Sequence, residues 1–160
     1  TVPGLAEDIQ RLRDSGIAVL VIDTPPALTQ TIAEVVRLAD LVVIPTRPSP
    51  HDLRSIVATA ELVEHLGKPL VFVLNGATPR ARINGEALSV LSQHGVLAPV
   101  VVHQRIDFAA SMIDGRTVME IARRSPSAAE IAQLWEYLND RLNTHLHHTD
   151  LTPLQRVASA

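Results

Sequence analysis

Short aliphatic runs punctuate the chain, and several of them stop on a polar residue or a proline. Ala18 to Ile22 ends on Asp23, Leu41 to Ile44 stops at Pro45 and Thr46, and Leu70 to Leu74 ends on Asn75. Continuous Val/Ile/Leu runs of this kind predict strands buried on both faces of a parallel sheet. Val100 to Val102 predicts a fourth strand, closing on His103-Gln104-Arg105. Between the runs the apolar spacing changes to that of helices. Leu5, Ile9 and Leu12 mark a helix from Leu5 to Asp14 that ends at Gly16, and Ile32, Val35, Val36 and Ala39 mark one between about Leu28 and Leu38. Ser49, Pro50 and Asp52 make a capping box, and the helix it opens continues through Leu53, Ile56, Ala60 and Val63 towards Leu66.

Gly67 and Pro69 break that helix, and Gly76 to Arg82 is a loop. Ala87, Leu88 and Leu91 predict a short helix stopping near Gly95, and Ile106 to Ile113 another, stopped by Gly115. Ser127 and Glu130 form a second capping box, opening a helix whose apolar positions are Ile131, Leu134, Leu138 and Leu142. From Thr144 the pattern dissolves, so residues 1–143 are one domain and 144–160 a frayed tail. Alternating strand and helix calls for an α/β fold, a parallel sheet with right-handed crossovers and helices on both faces.

Composition narrows the function classes. With 2% aromatic residues the core is aliphatic, which argues against stacking platforms for single-stranded nucleic acid. The absence of cysteine rules out disulfides and thiolate metal sites and points to a reducing cytosol. No apolar run approaches the ~20 residues of a membrane span. The formal charge of −3 is uneven, because residues 80–124 carry a surplus of two positive charges. That surplus comes from Arg80, Arg82, Arg105, Arg116, Arg123 and Arg124, which are either a solvated face or a set of phosphate contacts. His145, His147 and His148 lack the carboxylate spacing of a metal site, and no Ser-His-Asp set assembles from spacing.

Strand ends are where open α/β sheets bind ligands, which makes Asp23 and Asn75 the first candidates. Each has a plain alternative, since both residue types commonly satisfy turns at strand ends. The segments VLVIDTPP, LADLVVIPTRPSPHDL and FVLN, taken in order, resemble the second half of a ParA-type partition ATPase. That family stands with MinD among the deviant P-loop NTPases, and the resemblance covers about residues 5 to 142. It implies a three-layer α/β/α, P-loop NTPase-like fold, here amino-terminally incomplete: no GKT or GKS triplet occurs in the chain, which resembles a fragment of the family domain or a degenerate member.

The resemblance also implies roles. Asp23 would be the Walker B carboxylate, catalytic and holding Mg²⁺ through water, as a hard cation prefers. Thr24, Pro25 and Pro26 would line the nucleotide-dependent switch. Asn75 would read adenine, its amide offering both donor and acceptor, and Pro45 to Pro50 would form a wall of the purine pocket. Arg105 and Arg116, in QRIDFAASMIDGRTVME, would contact DNA without sequence preference. ATP and Mg²⁺ are the implied cofactors of a complete protein, and none is expected for residues 1–160 alone. The implied partners are a second subunit in an ATP-bound dimer, non-specific DNA and a ParB-like centromere-binding protein, in a bacterial, cytoplasmic, nucleoid-associated setting without a membrane.

Other readings remain open. A MinD-like cell-division ATPase wants a basic amphipathic carboxyl-terminal helix, which LTPLQRVASA supports poorly. A phosphorelay receiver would phosphorylate Asp23, sense it with Thr46 and supply Lys68, although Lys68 precedes its strand instead of ending it. A non-catalytic scaffold would keep only a dimer or DNA surface.

Overall fold

In the computed structural model, residues 4–24 and 30–149 are described. The order is α1 (Leu5–Asp14), α2 (Gln30–Leu38), β1 (Val42–Thr46), α3 (Pro50–His65), β2 (Leu70–Ala77), α4 (Arg82–Leu91), β3 (Val96–Leu97), β4 (Val102–His103), α5 (Ile106–Ser111), α6 (Val118–Ile121) and α7 (Pro126–Thr149). All pairings are parallel, as the aliphatic runs predicted. β2 lies at the centre with β1 on one side. On its other side β3 and β4 follow one another, opposite Val71–Phe72 and Asn75–Ala77 respectively. They replace the single expected strand at Val100–Val102. Pro99 stands between them, and a residue without an N–H interrupts the ladder there.

Helices cover both faces. Ile44, Phe72 and Leu74 pack with Ile56 and Ala60 of α3 and Ala87 and Leu91 of α4. On the other face Val71, Val73 and Val102 meet Phe108 of α5 and Ile131, Leu134 and Leu138 of α7. Phe72, Val63 and Val71 are fully buried. Burying a side chain of this size contributes roughly 1.5–3 kcal/mol, so this double-sided core carries the fold.

Several expected boundaries move. The Ala18–Ile22 run is not a strand. Among the described residues it joins no ladder, and Val21 is 83% exposed, so the burial expected on both faces is missing. A strand is made by a neighbour to pair with, and no described strand pairs with this segment. Nor does α1 bury any residue, although its ends fall where expected. β1 runs on through Pro45 and Thr46. Val42 N–H donates to Pro69 O at 2.9 Å, so the odd-numbered residues of β1 turn their backbone groups to the open edge. Pro45 therefore costs no bond to β2. β2 likewise continues past Asn75 to Ala77.

The caps differ too. Ser49 Oγ accepts from Asp52 N at 3.3 Å, but the Asp52 carboxylate goes to Arg47 Nε at 3.1 Å, so only half of the expected box forms. At α7 the cap is Ser125, whose Oγ accepts from Ala128 N at 3.1 Å with Pro126 in the first turn, where proline fits. Ser127 and Glu130 serve other elements instead. The reciprocal box that does form joins Thr117 and Glu120, on the short α6 that periodicity missed. The expected fraying at Thr144 does not coincide with a helix end, because α7 continues to Thr149 and residues 150–160 lie outside the described residues. Among the described residues no helix is long and apolar enough to cross a membrane.

Candidate functional site

The parallel sheet places three strand ends side by side. Thr46 is in register with Leu74, Asn75 with Val102, and Ala77 with His103, and Gln104 N–H donates to Ala77 O at 3.0 Å. Residues Pro45–Arg47, Asn75–Gly76 and His103–Arg105 thus share one rim, at the carboxyl ends where such sheets hold ligands.

Asn75 is exposed, and its amide makes no hydrogen bond to another described residue. An unspent donor and acceptor on a rigid central strand suits the reading of a base edge. Gly76 follows at φ 64°, a left-handed conformation that favours glycine. A Cβ there would sit 3.4 Å from Arg47 Cγ, so the Arg47 stem lies close over the glycine. The Arg47 guanidinium is exposed and held by Asp52. Pro45 is exposed beside it, while Thr46 is buried at 4% exposure.

Asp23 and Thr24 are exposed at the end of the unpaired segment, and no hydrogen bond or ion pair ties Asp23 to the rim. Pro25 and Pro26 lie outside the described residues. The structure thus joins Pro45 and Asn75 on one rim and does not attach Asp23 to it. Among the described residues no group of three or more His, Asp or Glu side chains is arranged to hold a metal ion.

The two singled-out arginines occupy different surroundings. Arg105 is mostly covered, and its NH2 donates to Glu130 Oε1 at 2.7 Å. That hydrogen bond raises the guanidinium pKa above its ordinary value. Arg116 is exposed and pairs with Asp114 at 2.7 Å, which holds that carboxyl below its usual range. Burial pushes the Glu130 carboxyl up, but hydrogen bonds from Arg105 and from the His103 backbone and ring leave it below the usual carboxylate range. Sequence reading missed this role for Glu130, because its partners lie 25 and 27 residues away and no spacing rule reaches that far. Lys68 Nζ donates to Ala39 O at 3.0 Å, so the lysine that a receiver would need is spent on the end of α2.

No family model matches the chain. It is 29% identical over 120 residues to the maintenance of carboxysome distribution protein A of Halothiobacillus neapolitanus, covering 69% of this chain and 55% of that protein. A protein of the same name from Gloeobacter kilaueensis is 42% identical over 60 residues, 37% of this chain and 27% of its own length. Among solved structures, the cell division ATPase MinD of Pyrococcus furiosus superposes with a TM-score of 0.72 at 19% identity, over 86% of this chain and 57% of that one. The fold over that span is therefore that of the MinD structure. The chain spans about half the length of the first relative and of this structure.

Proposed function

We propose that residues 5–142 are part of the nucleotide-switch domain of a ParA-type ATPase that positions or segregates a large cargo. The observation that carries the reading is the rim itself, with an unpartnered Asn75 amide between Pro45–Arg47 and His103–Arg105 on a MinD-type sheet. The ordered motifs around Asp23, Thr46 and Asn75 support it, as does the similarity to two carboxysome-distribution proteins. The names of the two relatives favour a carboxysome over a plasmid or chromosome as the cargo.

In this reading Asn75 binds adenine, Pro45 walls the purine, and Asp23 takes Mg²⁺ through water. A lone free carboxylate fits that ion, which keeps most of its waters and completes its shell with phosphate oxygens. The group that cradles the phosphates is a glycine-rich loop, and residues 1–160 contain no such sequence. In this reading ATP hydrolysis, and the dimerisation and DNA binding that follow ATP, need a phosphate loop that residues 1–160 do not themselves supply. Both arginines are ion-paired, but Arg116 is the better candidate DNA contact, since its pair with Asp114 lies in solvent and can be exchanged for a phosphate, whereas Arg105 and Glu130 are mostly covered.

The experiment is ATP binding and turnover by a protein that joins this chain to a phosphate-loop segment, with and without duplex DNA. Mg²⁺-dependent ATPase activity lost in Asp23→Ala supports the reading, and micromolar ATP binding by residues 1–160 alone overturns the requirement for the loop. DNA binding uniform across sequences and weakened in Arg116→Gln supports the nucleoid role. A MinD-like membrane role would instead appear as co-sedimentation with anionic vesicles.

A further inference from the structure

A polar cluster away from Asn75 joins the end of β4 to the second turn of α7. Glu130 Oε2 accepts from His103 N at 3.0 Å, and Oε1 faces His103 Nδ1 at 2.9 Å and Arg105 NH2 at 2.7 Å. One turn earlier Ser127, wholly buried, donates to Asp107 Oδ2 at 2.7 Å. The charged and titratable groups here come from every element that meets at the cluster. They are His103 of β4, Arg105 of the turn, Asp107 of α5 and Glu130 of α7.

With Ser125 as the cap, Glu130 lies two residues beyond the position from which a glutamate reaches back to the cap, so its carboxylate is left for other elements. It takes a backbone N–H as well as two side chains from a three-residue stretch, so it fixes the path of the turn and not only its side chains. The Glu130 side chain is 14% exposed, so these contacts form largely out of water, where charge-assisted hydrogen bonds are strongest. Arg105 Nε is sealed from solvent without a partner, so the guanidinium is lodged against the fold instead of reaching outward. The turn begins at the residues that pair with Asn75 and Ala77.

We propose that Glu130 is a positioning residue: its carboxylate pins the His103–Arg105 turn to α7, fixing the far wall of the rim and neutralising Arg105. The pin holds whatever ligand the rim takes, so its failure and that of the nucleotide reading are separable. The test is native-state amide exchange on the whole 160-residue chain, comparing Glu130→Ala and Glu130→Gln. His103 N–H should exchange about tenfold faster or more in Glu130→Ala, and less so in the isosteric Gln variant. Gln104 N–H, in the middle of the pinned turn, should quicken with it, while Ala98 N–H, which donates to Phe72 O at 2.8 Å outside the turn, is the internal reference and should hardly change. If Glu130→Ala does not fold, a double-mutant cycle with Arg105→Gln and Glu130→Gln takes its place. Coupling of several-fold in the folding equilibrium at neutral pH, fading as the pH falls, is expected. Additive effects, or equal acceleration at His103 and Ala98, overturn the pin.

Discussion

Asn75 shows what a single residue reveals in sequence and what it hides. Its place after an aliphatic run marked it as a rim residue, and the rim is where it lies. Its position inside β2, and not at its end, was invisible, because pairing with β4 across the interrupted edge extends the strand. In an ATP-binding protein carrying this chain, Asn75→Ala should weaken ATP binding by about 1–3 kcal/mol, the cost of an unmet hydrogen-bonding group. GTP should suffer less, since its base edge presents the opposite donors and acceptors, and calorimetry with both nucleotides decides it. Glu130 teaches the converse lesson. It was read as a cap from local spacing, whereas its partners come from another element. Its folded pKa lies below the unfolded value, so its stabilisation is complete above the ordinary carboxylate range near ~4.3. That stabilisation is lost as the pH falls through the lowered folded value. Denaturation midpoints measured between neutral and acid pH should therefore fall less steeply in Glu130→Gln than in the parent.

At the scale of elements, helices were the more legible because their signals are local. The start of α3 needed only Ser49 and Pro50, and Ser49→Ala should cost about 1 kcal/mol in denaturant unfolding. Strands were read as potential and not as fact. The Ala18–Ile22 run has the composition of a buried strand, and β-structure expresses packing against neighbours more than any preference of the backbone. The short β3 and α6 were missed because elements this brief hold no full period of either pattern. Gly76 is where backbone and rim meet. Gly76→Ala should destabilise by roughly 1–2 kcal/mol, the left-handed penalty of an L-residue. A midpoint unchanged by the substitution would mean that the rim relaxes to another conformation.

For the whole molecule, the parallel class followed from the alternation of elements, while the share of it that closes on itself did not. The core is centred on β2, and residues 4–24 contribute no buried residue to it. Val43 and Val21 are exposed at 38% and 83%, and the outer edge of β1 is unpaired among the described residues. Exposed edges of this composition recruit other strands. The 160-residue chain should therefore self-associate with rising concentration in light scattering, and Val43→Lys with Val21→Lys should reduce it. Pro45 sets a limit on any such recruit. Its carbonyl faces that edge and can still accept, but its nitrogen has no proton to give, so an incoming strand can be laced fully to β1 beside Val43 and only half so at Pro45. A proline that costs the existing ladder nothing thus weakens any added one just where the edge runs towards Thr46 and Asn75.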